Sequence, residues 1–213
     1  MNFWSFVVEN RGEIAQLTLE HLWIVGISTL LAVLVGIPVG ILITRKPALH
    51  NPVIVIANII QTIPSLALFG FLLPAPWIGE RAGRLAILAL TLYALLPMIR
   101  NTYAGIKGVD HAVVEAARGM GLTGWQLLYK VELPLAGSVI LAGVRVAVVI
   151  SVGLATIAAA IGAGGLGELI FRGLAMVNNS VILAGAVPAA LMALTADFVL
   201  GWLEKRLSPP RAA

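Results

Sequence analysis

Long apolar runs separated by polar connections set the rhythm of this chain. Five runs stand out: Leu22 to Ile43, Val53 to Leu73, Arg84 to Ile99, Gly137 to Ala163 and Val181 to Leu203. Each approaches the roughly 20 apolar residues that a helix needs to cross hydrocarbon, the third being the shortest. The pattern predicts an all-α integral membrane protein of about five transmembrane helices, with the membrane domain over 22–204. Pro38, Pro64, Pro97 and Pro188 fall inside runs. Each removes a backbone donor, which helices in lipid tolerate when neighbours or water satisfy the freed carbonyl, so the prolines either kink helices around a pathway or shape packing. Gly36 and Gly40 form a small-xxx-small pair that lets another helix approach closely.

The connection between the third and fourth runs, residues 104–134, is too long for a simple helix turn. Asp110 is a good N-cap, Val113, Val114 and Ala117 recur at helical spacing, and Gly121 suits the left-handed conformation that ends a helix. Thr123 stands three residues before Gln126 in the capping-box arrangement, opening a second helix through Trp125, Leu127, Leu128 and Tyr129. Pro134 then introduces the fourth span. Two short helices outside the bilayer are marginal in water. They are expected either to dock on a partner or to fold back on the chain's own span ends.

Composition agrees with the pattern: 60% of residues are hydrophobic and 11% charged, more apolar than a soluble domain of this length. No linker or internal repeat divides the chain. The net charge of +4 does not point to nucleic acid, because the cations lie between spans without interleaved aromatics. Arg45, Lys46, Arg100, Lys107, Arg118, Lys130, Lys205, Arg206 and Arg211 fall on one side, and Arg11, Arg81, Arg84 and Arg172 on the other. The positive-inside bias predicts an external N-terminus and a cytoplasmic C-terminal tail at 205–213. Residues 1–21 read as an external amphipathic segment, with Trp4 and Trp23 as interfacial anchors, and not as a cleaved signal. The absence of cysteine excludes disulfides, thiolate catalysis and Cys-based metal sites.

Candidate chemistry is sparse. Gly162-Ala163-Gly164-Gly165-Leu166-Gly167 spells a dinucleotide fingerprint, but it follows a span instead of a strand and lacks the later acid. It reads as a flexible exit from the fourth span. No phosphate-binding loop is present, so the chain is not itself the usual kind of ATPase. His21, His50 and His111 are dispersed and read as interfacial or capping groups, not metal ligands. No Ser, His and Asp set or carboxylate pair suggests an intramembrane enzyme. Gln61, Thr62, Ser65, Tyr93 and Asn101, with the helix break at Pro64, are the candidates for a translocation pathway; packing or interfacial roles stand beside that reading. Arg145 and Asp197 are the clearest ionisable groups inside apolar runs. At about 1.5 Å per residue both lie roughly 10 to 15 Å inside the cytoplasmic boundary, so they match in depth. They either pair, or Arg145 snorkels while Asp197 caps backbone or lines a hydrated gap.

The connection contains Glu115-Ala116-Ala117, then Gly121, then Leu133-Pro134, and this pattern resembles the coupling motif of binding-protein-dependent ABC importer permeases, with Val131 where isoleucine is usual. Gln61 through Leu68, Leu92 through Tyr103, Ile161 through Gly167 and Ala184 through Ala190 resemble the osmoprotectant branch. The resemblance implies the type I importer permease fold in a bacterial inner membrane. It also implies a second permease subunit, identical or paralogous, two cytoplasmic ABC ATPase subunits and a separate extracytoplasmic substrate-binding protein. ATP and magnesium would be used by the partner ATPase and no cofactor bound by this chain. Glu115, Ala116, Ala117, Gly121, Leu133 and Pro134 would couple to the ATPase, and the cargo would be glycine betaine, choline or carnitine. The alternatives are a permease for another small solute such as an amino acid, or a secondary transporter or channel, which the odd span number and missing repeat disfavour. A membrane scaffold would leave the long connection unexplained.

Overall fold

The computed structural model describes residues 3–74 and 82–207. Arg81, Arg211 and the tail beyond Leu207 lie outside the described residues. A short helix α1 (Phe3–Glu9) leads into α2 (Arg11–Arg45), followed by α3 (His50–Thr62), α4 (Ser65–Leu72), α5 (Ala82–Lys107) and α6 (His111–Gly119). After α6 come α7 (Gly124–Leu127), α8 (Leu133–Ala158), α9 (Gly167–Ala175) and α10 (Asn179–Leu207). Among the described residues four helical stretches are long and apolar enough to cross a membrane, and α3 with α4 is an apolar pair bent by 99° that counts as a fifth only if it crosses as one span.

The elements differ from the hydropathy reading at four places, each for a local reason. First, α2 starts eleven residues before Leu22: nothing between Arg11 and Leu22 stops a helix, and Glu13 in its first turn suits the N-terminal dipole. Second, the Val53 to Leu73 run is not one helix. Ile63, just before Pro64, is extended with ψ of 126°, as a residue preceding proline prefers. Third, α5 continues through Arg100, Asn101 and Thr102 to Lys107, polar positions that hydropathy alone excludes. Fourth, the expected second connector helix is the foot of the fourth span: α7 passes through a π-helical turn, Leu128–Glu132, directly into α8. There the Leu133 N–H bonds the Leu128 carbonyl five residues back. This wide turn carries the helix past Pro134, which has no N–H to give.

α5 is the central helix, packed along α2 on one side and α8 on the other, with α10 against α8 and α9. α2 and α5 run parallel, and glycine sets their spacing. A Cβ on Gly36 would stand 2.6 Å from Met98 Cβ, and one on Gly40 would stand 2.5 Å from Thr102 Cβ. The small-xxx-small pair is thus a contact within the chain. On the other side of α5, a Cβ on Gly143 of antiparallel α8 would stand 2.6 Å from Asn101 Cβ and 3.0 Å from the Pro97 carbonyl oxygen. The main core joins Ile24 and Val25, Leu68 and Phe69 of α4, Leu85 to Tyr93 of α5, and Val152 to Ala158.

The glycine run after α8 is a shaped turn, not a flexible exit. Gly162, Gly164 and Gly165 have φ of 80°, 87° and 81°, a region L side chains rarely adopt. The Gly165 N–H donates to Glu20 Oε2 at 3.3 Å, and a Cβ at Gly167 would lie 2.1 Å from the Thr156 carbonyl oxygen. At this same end Arg172 of α9 donates through both terminal nitrogens to Glu13, at 2.7 and 3.1 Å. α1 buries Phe6 against Leu166, Leu169 and Val181, while Trp4 and Trp23 stay exposed.

Candidate functional site

At the opposite end, where α2, α5 and α10 finish and α8 begins, α6 stands clear of the spans. Asp110 Oδ1 accepts the Ala112 N–H at 2.9 Å and starts the helix. Gly121, at φ of 82°, ends it, and its N–H bonds the Arg118 carbonyl at 2.9 Å. Thr123 and Gln126 cap each other's backbone at the start of α7. Ala117 is buried while Glu115 and Ala116 are exposed, so one face of α6 packs inward and the other is open. Met120, Trp125 and Tyr129 are 74%, 70% and 63% exposed, and the two rings stack with centroids 5.9 Å apart. Leu133 packs inward with Ile106, Leu128 and Ala136, and Pro134 is exposed on the first turn of α8.

The connector is tied down by a pair that sequence reasoning missed. Arg45, last in α2, grips Glu132 with both terminal nitrogens: Nη1 donates to Oε1 at 3.2 Å and Nη2 to Oε2. Glu132 is buried, so a compensating cation is required. The sequence shows Glu132 only as an acid before Leu133-Pro134, and its partner lies 87 residues away, beyond the reach of a local signal.

Three pathway candidates meet at the break between α3 and α4. Pro97 deprives the Tyr93 carbonyl of its helical donor, and Gln61 Nε2 supplies one at 3.1 Å. The Ile63 carbonyl, at the bend, accepts the Tyr93 hydroxyl. The missing Pro97 N–H and the helix break before Pro64 therefore leave two backbone acceptors that two side chains satisfy reciprocally. Thr62 is exposed and donates to the Ile59 carbonyl of its own helix at 2.7 Å; Ser65 opens α4 just past Pro64. Asn101 is apart from this group, bonding the Pro97 carbonyl at 2.8 Å in the seam with α8.

Arg145 and Asp197 are in contact. Nε donates to Oδ1 at 2.6 Å and Nη2 to Oδ2 at 2.8 Å, the bidentate geometry that arginine and carboxylate favour. Glu204, two turns further along the same face of α10, accepts from Nη1 at 3.3 Å. Gly201 between the two acids makes room for the guanidinium, since a Cβ there would sit 3.0 Å from Nη1. The histidines take separate positions. His21 is buried with Nε2 3.2 Å from the Val152 carbonyl, His50 lies against the Tyr103 ring, and His111 pairs with Glu115 at 3.5 Å. Among the described residues no group of three His, Asp or Glu could hold a metal.

Residues 36–209 match the family described as the binding-protein-dependent transport system inner membrane component. The chain belongs to this family. Among its relatives the permease is 45% identical over 205 residues to the carnitine transport permease protein OpuCB of Listeria monocytogenes, covering 96% of this chain and 93% of that one. It is 47% identical over 206 residues to the glycine betaine/carnitine/choline transport system permease protein OpuCD of Bacillus subtilis, covering 96% and 89%. It is 42% identical over 206 residues to the osmoprotectant import permease protein OsmW of Salmonella typhimurium, covering 96% of both. Its fold is that of type I ABC importer permeases. The inward-facing MetNI methionine ABC transporter superposes with a TM-score of 0.84 at 24% identity, covering 92% of this permease and 96% of that chain. An amino acid ABC transporter superposes with a TM-score of 0.78 at 20% identity, covering 97% and 99%.

Proposed function

We propose that the permease is one of two membrane subunits of an importer for quaternary ammonium osmoprotectants such as glycine betaine, carnitine and choline. ATP hydrolysis takes place on separate cytoplasmic subunits, and cargo arrives from a separate extracytoplasmic binding protein. The observation that carries the cargo class is that relatives at 42 to 47% identity over most of the chain bear osmoprotectant names. The end bearing α6 faces the cytoplasm and α1 lies outside, a reading supported by Arg45, Lys46, Lys107, Arg118 and Lys130 at that end.

In this reading α6 enters a groove on the ATPase, with Glu115, Ala116 and Gly121 at the contact. Support comes from its open outer face and from the exposed apolar side chains of Met120, Trp125 and Tyr129 beside it. Ala117, Leu133 and Pro134 act from behind, setting how α6 and α8 meet. ATP binding then biases a two-state membrane element, and alternating access follows from rearrangement of the helices around the α3–α4 bend. Gln61, Thr62, Pro64, Ser65, Tyr93 and Asn101 lie along the route or shape it. A quaternary ammonium head has no N–H to donate and is selected by aromatic faces, a task for the binding protein.

The test is uptake into proteoliposomes holding the permease, its ATPase and its binding protein. Labelled glycine betaine, carnitine or choline should accumulate only with ATP and binding protein, while methionine and histidine should not. Uptake of the amino acids alone would overturn the cargo class, and ATP-independent accumulation would overturn the importer reading.

A further inference from the structure

Beneath α6 lies a cavity of about 220 Å³ lined by Arg45, Lys107, His111, Arg118 and the single carboxylate Glu132. Glu132 is already committed to Arg45. Among the described residues no carboxylate comes within ion-pair reach of Lys107 or Arg118, and His111 turns to Glu115. The side chains of Lys107 and Arg118 thus line a space with ample room for a phosphate group. Arg45 and Arg118 also line a second cavity of about 390 Å³ on the side of Trp125 and Leu128, so the basic lining continues around the connector.

The positive-inside tendency accounts for cations at this end, but not for their convergence. Lys107 ends α5, Arg45 ends α2 and Arg118 stands on the last turn of α6. Three separate elements bring cations to one hollow, where a bound anion would offset their mutual repulsion. Basic pockets between helix ends on the cytoplasmic side suit phosphate head groups, and arginine presents the fork that phosphate oxygens accept.

We propose that this cavity binds a phosphate group, which bridges α6 to the ends of α2 and α5. The phosphate comes either from an anionic lipid of the inner leaflet or from a soluble phosphate. The binding itself stands on the cavity alone. Its effect on transport, a firmer seating of α6, rests on the ATPase-docking reading above.

Binding is therefore read without transport. The intact transporter, purified in detergent, is titrated with radiolabelled phosphatidylglycerol, with phosphatidylcholine as the zwitterionic control, and separately with radiolabelled inorganic phosphate. We expect one saturable site per permease for phosphatidylglycerol, for inorganic phosphate or for both; the arm that saturates identifies the source. The double variant Lys107→Gln with Arg118→Gln should weaken it roughly ten- to thirtyfold, at about one surface charge's worth per residue removed. Lys107→Arg with Arg118→Lys keeps the charge and should retain the site, which separates lost charge from lost fold. Saturable binding in neither arm, or equal affinity in the Gln double variant, would overturn the proposal.

Discussion

Gly121 carries the most stringent single-residue demand in the connector. Its φ of 82° is open to glycine and, at some cost, to asparagine, and nothing lies within 4 Å of where its Cβ would be. Any penalty there is consequently one of backbone and not of crowding. We expect Gly121→Val to lose most uptake while the subunit still inserts and assembles, and Gly121→Asn to retain a large part of it. Equal activity of the Val variant in the proteoliposome assay would remove Gly121 from the coupling path. At Arg145 the guanidinium serves two carboxylates, so Asp197→Asn leaves it a single acid at Glu204. Thermal unfolding of the purified subunit should move down for Asp197→Asn and further for Arg145→Met, with the double variant closer to the singles than to their sum. Additive losses would mean that the contact contributes nothing of its own.

Legibility at this scale followed the reach of local chemistry. Asp110, Gly121 and the Thr123 with Gln126 box act within a few residues and were readable. Glu132 and Glu204 bond partners 87 and 59 residues away, which no local pattern encodes.

Between elements, the bend at Ile63 and Pro64 is tied to α5 by two side-chain hydrogen bonds, and the Tyr93 hydroxyl makes the one at the Ile63 carbonyl. Tyr93→Phe deletes the donor to the part-buried Ile63 carbonyl while keeping the ring in the core, and losing such a bond costs about 1 kcal/mol. The expected outcome is a lower unfolding temperature together with a looser bend. Because the chain has no cysteine, Ser65→Cys can report on the bend directly. A water-soluble thiol reagent should label Ser65→Cys in at least one transport state, and faster when Tyr93→Phe is added. No labelling in any state would assign this corner to packing. Hydropathy found the run that contains α3 and α4 but not its corner, because the same residues read equally well as one span. The proline was visible; the hydroxyl that satisfies the Ile63 carbonyl there comes from Tyr93 of α5, a different element. The same limit applies to α7, whose capping box was legible while its fusion to α8 depended on a π turn that no composition announces.

For the whole molecule, the orientation is the property most open to a direct check. Phe3→Cys should react with an impermeant thiol reagent in intact cells, and Lys205→Cys only after the membrane is opened. The reverse pattern would invert the topology and move α6 away from any cytoplasmic ATPase. The apolar runs that hold the long helices were legible along the chain, and the orientation expected from the spread of its basic residues is what this labelling tests. The central place of α5 was not legible, since its apolar run looked the shortest and its polar C-terminal part packs against elements far away in sequence.

The parallel seam of α2 and α5 has a mechanical consequence. Backbones brought this close by Gly36 and Gly40 cannot slide past Met98 and Thr102, so the two helices form one stiff beam. At 35 residues α2 is about 50 Å long, and a tilt of about five degrees at one end displaces the other by roughly 4 Å. The Arg45 grip on Glu132 sits at one tip of that beam, and the Glu13 grip on Arg172 sits near the other. A nudge too small to break any contact at the connector therefore arrives at α9 as a movement comparable to the width of a water molecule or more.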